Sequence, residues 1–546
     1  MSPNYENGTE FVFRKHDTIG AAAAEDDESY LSDCFVDIGD LNVLLNCNDS
    51  KRIIVGRTGA GKSALLSKIA SVAEHVIQLS PHSLSLNYIA NNQVIRFFEE
   101  AGVNLTPFYM LLWKHIFVVE LLTAKFGIKT EDSQRKTMSR LRELLYKKDH
   151  IKDQAVEYLE TWGNRFWLTT DERMRELTTK VETSLSGALK GTAFGSSLSS
   201  EAARKLTEEE KLEVVERGKR AVNTVQLREL ENIIQVLNDE IFSDPQENYY
   251  LTIDTLDEEW ADNRLKFRLI KALIDTIRSF RRVENVKIIA AMRYDLLDRV
   301  LHATSDPGFQ EEKYESLYLF MKWTNSSLTE VVDVRLNHLV RRRYTSRALS
   351  ISDLLPGNID TQPAIDYLLD RTFMRPRDVI LFLNECIACA EGRAKLTASV
   401  IKQAEEEYSR KRLQSVAYEW RIVYPNLRPI AHVFYGVASS FPFSTITREF
   451  IEERFAGVIG EIDESLSDSN VSLINSLYGA SGNFNSVRNS LVRNLHMVGI
   501  LGIKTGPTAS IDWASQFRSS LAAGEVRASA IIYVHPMFHR ALGIRR

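Results

Sequence analysis

Residues 51–63 read Lys51-Arg-Ile-Ile-Val-Gly56-Arg-Thr-Gly-Ala-Gly61-Lys62-Ser63, a short β-branched run entering a glycine-rich turn. Arg52–Val55 has the texture of a buried strand, and Ala64–Ala70 that of an apolar helix. Gly56 to Ser63 fits G-x-x-x-x-G-K-[ST] at every required position. The spacing has a physical reason. Gly56, Gly59 and Gly61 let the backbone N–H groups of Arg57, Thr58 and Ala60 curl around phosphates. The helix starting near Lys62 then points its positive dipole end at them. Lys62 offsets the β/γ-phosphate charge, the Ser63 hydroxyl ligates Mg²⁺, and Ala64 continues the helix.

Such a loop needs a second acidic strand to hold Mg²⁺ through water, and a group that orients the attacking water. Tyr250-Leu-Thr-Ile-Asp254 ends in an acid and runs on as Thr255-Leu-Asp257-Glu258-Glu-Trp260. Carboxylates thus crowd the C-terminal end of a strand, the edge where α/β sheets bind ligands. Asp254 is assigned to Mg²⁺ with Ser63, and Asp257 or Glu258 to the water; the competing reading is a solvated acidic loop. The next strand, Val286–Met292, is followed by Arg293, placed to report a γ-phosphate unless it only pairs with Asp295. Arg375-Pro-Arg377-Asp378 opens an apolar helix, and Pro376 suits its first turn. Both arginines would then be held at a defined helix start, where one could reach a nucleotide.

Gly56–Ser63, the strand end Ile253-Asp254-Thr-Leu-Asp257-Glu258, Arg293 and Arg375-Pro-Arg377-Asp378 together resemble the AAA+/STAND division of P-loop NTPases, related to KAP ATPases. More closely, the chain resembles bacterial stand-alone ATPases often encoded in anti-phage defence loci. That likeness is carried by Ile19-Gly-Ala-Ala-Ala-Ala-Glu25, by Trp323-Thr-Asn-Ser-Ser-Leu328 leading to Arg335, and by Gly499–Ile503 with His535-Pro-Met-Phe538. The resemblance implies hydrolysis of ATP with Mg²⁺, a nucleotide-controlled switch or assembly module, a homo-oligomer, and a protein effector or sensor partner. It implies that Arg377 is the lid arginine and that Arg375 braces the turn. It also implies that residues before the first strand, Glu25 among them, line the adenine pocket; adenine over guanine rests on the resemblance alone. STAND proteins usually place a second Asp directly after the Mg²⁺ acid. Here that position is Thr255, which leaves the catalytic carboxylate open between Asp257 and Glu258.

The expected fold is α/β: a P-loop NTPase core with a parallel sheet, a large helical insertion, a helical lid and a C-terminal winged-helix-like domain. The expected boundaries are 1–129 and 243–324 for the two parts of the core, 130–242 for the insertion, 325–424 for the lid and 425–546 for the last domain. In the insertion, Met174, Leu177, Val181 and Leu185 recur at helical spacing, as do Leu227, Leu230, Ile234, Leu237 and Ile241. Ser184–Ser200, rich in Gly and Ser, reads as a hinge. Asn485–Met497 would be the recognition-like helix, and Gly499–Lys504 with Ile531–Val534 the wing. An ATP-regulated DNA-binding protein is therefore the alternative function. From Arg428 onward, however, there are 11 Lys and Arg against 9 Asp and Glu, a weak footprint for nucleic acid. The run Arg341-Arg-Arg343 with Arg347 reads as an arginine finger for a neighbouring subunit or as a solvated helix end.

Composition excludes several classes. With 546 residues, 44% hydrophobic and 26% charged, the chain is neither disordered nor fibrous and has room for about three or four domains. A net charge of −5 recruits neither nucleic acid nor acidic lipid globally. Four cysteines make no disulfide framework, and Cys386-Ile-Ala-Cys389 lies inside an apolar helix without a nearby His. The start lacks a secretory pattern, and Phe108–Phe126 is interrupted by Lys114, His115, Glu120 and Lys125. The expectation is a cytoplasmic protein with no membrane partner.

Overall fold

A computed structural model describes residues 11–84, 92–127, 139, 178–179, 182–189, 198–224, 234–235, 237–258, 263–304, 312–343, 349–478, 483–514, 526 and 529–545. Met174, Leu177, Val181, Leu227 and Leu230, residues 190–197 of the Gly/Ser-rich stretch, Trp260 and Arg347 lie outside the described residues. The chain divides into two compact units. One, the sheet unit, comprises Gly39–Gly56 and Lys62–Met321; the other, the helical unit, comprises Met1–Ile38, Arg57–Gly61 and Lys322–Arg546.

The described residues of the sheet unit hold a five-stranded parallel sheet, with strands β1 (Ile53–Val55), β2 (His75–Leu79), β3 (Tyr249–Ile253), β4 (Val286–Met292) and β5 (Tyr318–Phe320). The order is β2-β3-β4-β1-β5, and each neighbouring pair is parallel. Every residue of β1, β3 and β4 is buried, which is why these strands read as unbroken apolar runs rather than alternating ones. The strands β1, β3 and β4 coincide with the three apolar runs read from the sequence; β2 and the three-residue β5 complete the sheet.

Helices cover the sheet. Lys62–Val72 buries Leu65, Leu66 and Ile69, and Asn263–Ser279 buries Leu269, Ile270, Leu273, Ile274 and Ile277. Thr106–Phe126 is long and apolar enough to cross a membrane by length and composition, yet it is mostly buried inside the protein. Its Trp113 is fully buried and donates to the Leu269 carbonyl at 2.9 Å. Under β1 and β4 two buried cations serve the C-terminal end of helix Asp40–Leu45, the negative pole of its dipole. Lys287 donates to the carbonyls of Val43 and Asn46, both at 2.7 Å, and Arg52 to that of Cys47 at 3.1 Å. Burial pushes the Lys287 pKa down to about 8.

The helical unit has its own core, built from helices Asn325–Arg343, Ala364–Leu369, Pro376–Cys389, Ala398–Glu419 and Leu427–His432. A small antiparallel hairpin, β6 (Asn358–Ile359) and β7 (Gln362–Pro363), sits within that series. Three further helices follow, Arg448–Val458, Ser469–Asn475 and Phe484–Val498, with a three-stranded antiparallel sheet. Its strands are β8 (Ser440–Pro442), β9 (Leu501–Lys504) and β10 (Ile531–Val534), with β10 in the middle.

Candidate functional site

The glycine-rich loop is shared between the units: Gly56 and the helix from Lys62 belong to the sheet unit, and Arg57–Gly61 to the helical unit. In the sheet unit, Gly56 follows β1 and donates its N–H to the Met292 carbonyl at 3.3 Å. Lys62 opens the following helix and directs Nζ to the Gly56 carbonyl at 3.1 Å. Ser63 and Ala64 lie in its first turn, beside the positive end of the helix dipole. Strand β4 stands between β1 and β3, so the end of the acidic strand is about 10 Å from that of the loop strand.

At the end of β3, Asp254 Oδ1 accepts the N–H of Thr255 at 2.9 Å. Thr255 has φ 58°, a left-handed conformation that costs a β-branched residue about 1–3 kcal/mol. Its hydroxyl is buried and, among the described residues, has no hydrogen-bond partner. Beyond this turn, Lys266 donates to the carbonyls of Asp257 and Glu258 at 2.9 and 2.6 Å, fixing the acidic segment to the next helix. Glu258 itself meets His82, with Nε2 and Oε2 2.8 Å apart. Arg293 turns to Asp295 at 2.8 and 3.2 Å, and its Nε lies 4.0 Å from Asp257. The strand-end arginine is thus engaged by both acids.

In the helical unit, four consecutive loop residues are each held. Arg57 donates to the carbonyls of Met497 and Ala514, the Thr58 carbonyl accepts from Arg375, and the Ala60 carbonyl accepts from Trp323 Nε1 at 2.8 Å. Gly59 has φ 78°, and a Cβ there would stand 2.6 Å from that of Arg377. Only glycine fits that approach. The two helix-start arginines differ sharply. Arg375 is buried and engaged: Nε reaches Asp378 at 2.8 Å, Nη1 serves Thr58, and Glu419 lies 3.8 Å away. Arg377 is half-buried, its N–H donates to the Gly59 carbonyl at 3.4 Å, and its Nε reaches the Ala22 carbonyl at 3.1 Å. Its two terminal amino groups have no hydrogen-bond partner among the described residues, and burial depresses its pKa.

The segment 19–27 is fixed by the same helices. Asn384 brackets Ile19 and Gly20, and Arg335 pairs with Asp27 and donates to the Ile19 carbonyl. Glu25 is exposed; the buried acid of this turn is Asp27. In the helix Phe484–Val498, Arg488 lies over the rings of Phe443 and Phe484, at 4.3 and 5.1 Å, and Arg493 is half-buried. Sequence reasoning passed over His82, Lys266, Asn384 and Asp27. Only His82 carried a signal, as a histidine just beyond the end of a core strand.

A parallel sheet whose inner strand enters G-x-x-x-x-G-K-S and then a helix defines a P-loop NTPase fold. Comparison with known proteins adds three likenesses. The family model of the FunZ-associated C-terminal helical domain matches residues 326–417. An 80.3 kDa protein of Escherichia coli (strain K12), named for transposon gamma-delta, is 21% identical over 98% of this chain and 68% of its own length. A Walker-type ATPase of Pyrococcus abyssi is 13% identical, with a TM-score of 0.35 over 91% of this chain and 95% of that one.

The residues at the loop fit a nucleotide with Mg²⁺. Within the sheet unit, Thr255 beside Asp254 keeps a buried hydroxyl without a partner among the described residues; within the helical unit, Thr58 does the same, and the terminal amino groups of Arg377 have no partner among the described residues. Among the described residues no group of three His, Cys, Asp or Glu side chains could hold a metal alone. A cation here would need phosphate oxygens and water besides Ser63 and Asp254.

Proposed function

We propose that this chain is a Mg²⁺-dependent ATPase acting as a nucleotide-controlled switch or assembly module. The observation that carries it is the loop Gly56–Ser63 between a buried inner strand and a helix start, in a sheet whose β3 is followed directly by Asp254. Lys62 and the loop N–H groups would hold the phosphates, and Ser63 and Asp254 the Mg²⁺, which supplies charge stabilisation of phosphoryl transfer. Glu258 is the favoured water-orienting group, with Asp257 second, because Lys266 fixes the backbone of both while Arg293 draws on Asp257. Arg377 is the favoured phosphate-facing arginine, since Arg375 is buried and committed to Asp378 and the Thr58 carbonyl. On the resemblance set out above, the switch works as an oligomer with a protein effector in anti-phage defence.

Lys62→Ala tests the core of this reading. Calorimetry should show loss of tight Mg·ATP binding, and unchanged affinity would remove the phosphate-loop assignment. A second reading, regulated nucleic-acid binding, draws on the transposon in one relative's name and on the C-terminal helices and sheet. Against it, Arg488 is spent on aromatic rings. Duplex-DNA affinity falling steeply across a salt series would favour it.

A further inference from the structure

Arg57 occupies a position in the loop pattern where any residue is allowed, yet its side chain is specifically engaged. Nη2 donates to the carbonyl of Met497 at 3.1 Å and to that of Ala514 at 2.7 Å, and the guanidinium lies 5.9 Å from the Phe373 ring centroid. Met497 belongs to the last turn of helix Phe484–Val498, whose carbonyls lack intrahelical donors and carry the negative end of the dipole. Gly499 closes that helix at φ 90°, with its N–H on the His496 carbonyl and that of Ile500 on Leu495, which leaves the Met497 carbonyl for Arg57. A Cβ on Gly499 would stand 2.9 Å from Phe373 and 3.4 Å from Arg57 Nη1. Phe373 in turn touches His535 and Phe538 and begins the turn whose Arg375 holds the Thr58 carbonyl.

From this geometry we infer that Arg57 is a latch between the phosphate loop and the C-terminal helices and sheet, so that nucleotide binding and docking of the C-terminal part are linked. The inference rests on the nucleotide reading above. Docked, the C-terminal part holds the loop by the Arg57 side chain while Arg375 holds the Thr58 carbonyl, so the loop is ordered before phosphate arrives. A ligand that orders the loop must, by reciprocity, strengthen the docking. Arg57 is a positioning residue: it acts on phosphate through the backbone it restrains.

The test is calorimetry of Mg·ATP binding with hydrogen exchange over residues 484–504, in the wild type, Arg57→Ala and Gly499→Ala. ATP should protect 484–504 in the wild type. Arg57→Ala should lose that protection and bind ATP about 5- to 150-fold more weakly, the usual span of coupling between sites. Gly499→Ala should reproduce both effects from outside the loop; if it does not fold, Arg57→Ala decides alone. Unchanged affinity in Arg57→Ala, retained protection in that variant, or no ATP-dependent protection in a wild type that binds ATP each overturns the latch and leaves the nucleotide reading intact. A wild type with no Mg·ATP affinity overturns both.

Discussion

Nε2 of His82 and Oε2 of Glu258 lie 2.8 Å apart just beyond the ends of β2 and β3, neighbours in the sheet. Both side chains are about half exposed, 47% and 52% of their surface, so the pair adds little stability, under about 1 kcal/mol. Its consequence is orientation: it draws the Glu258 carboxylate toward β2. Glu258→Gln should keep ATP binding and lose turnover by on the order of 10²–10⁴, the range for a lost proton-handling group. His82→Ala should change the basal rate severalfold while the unfolding midpoint stays put. If Glu258→Gln hydrolyses ATP like wild type and Asp257→Asn does not, the water-orienting role passes to Asp257.

Thermal and urea unfolding should show a pH dependence carried by His535. Burial among Phe373, Trp513 and Phe538, with the positive groups His539, Arg57 and Arg371 adding to it and Asp378 opposing, pushes its pKa down from 6.5 to about 3. The folded state therefore refuses a proton that the unfolded chain accepts. Its stability contribution is intact above pH 6.5 and declines as pH falls toward 3, by at most about 1.4 kcal/mol per unit. His535→Gln can still accept the Met537 N–H and cannot titrate. The gap in stability between variant and wild type should narrow from pH 7 to pH 4; a gap constant with pH would refute the assignment.

The parallel strands were legible because burial on both faces leaves a local signature: Ile53–Val55, Tyr249–Ile253 and Val286–Met292 are apolar runs ending at turns. The loop pattern was legible because its chemistry fixes residue types at fixed spacing. What holds the loop was not. Arg57 and Met497 are 440 positions apart, and a guanidinium on a backbone carbonyl asks nothing of the acceptor's side chain. Glu25 and Asp27 are both acids in one polar run, and only the distant Arg335 makes Asp27 the buried one. Likewise, Arg375 and Arg377 flank the same proline, and the partners that separate their roles come from Thr58, Glu419 and Ala22.

Asp378 is fully buried with two buried arginines: Oδ2 accepts from Arg375 Nε at 2.8 Å, and Oδ1 lies 3.0 Å from Arg412 Nη2. Burial alone would raise its pKa, but Arg375 and Arg412 outweigh that and hold the carboxyl below its usual range. Asp378→Asn removes the carboxylate shared by both cations, leaving Arg375 only the more distant Glu419, which costs about 3–5 kcal/mol. The loss should be full at pH 7. It should shrink as wild type is acidified below the ordinary carboxylate pKa of about 3.9, where the depressed native pKa makes stability fall with pH. Equal urea midpoints for the two proteins at pH 7 would show that the charge is dispensable.

Arg377 joins two segments of the helical unit: its stem lies on Gly59 and its Nε holds the Ala22 carbonyl, while its terminal amino groups have no partner among the described residues. Under the proposed function those groups would meet a γ-phosphate, and a charge-assisted contact is strong where the guanidinium is half-buried. ADP would leave them without it. Arg377→Ala should therefore retain ADP binding, weaken the preference for ATP, and remove the difference in order between the two nucleotide states. Hydrogen exchange over residues 18–27 and 370–390 reads this directly. Wild type should be more protected with ATP than with ADP in both stretches, and the variant equally exchangeable with either. The backbone contact from the Arg377 N–H to Gly59 survives the substitution, so wholesale loss of the helix start is not expected. If the variant keeps the ATP-dependent protection, Arg377 only braces Ala22 against the loop and the γ-phosphate is read elsewhere.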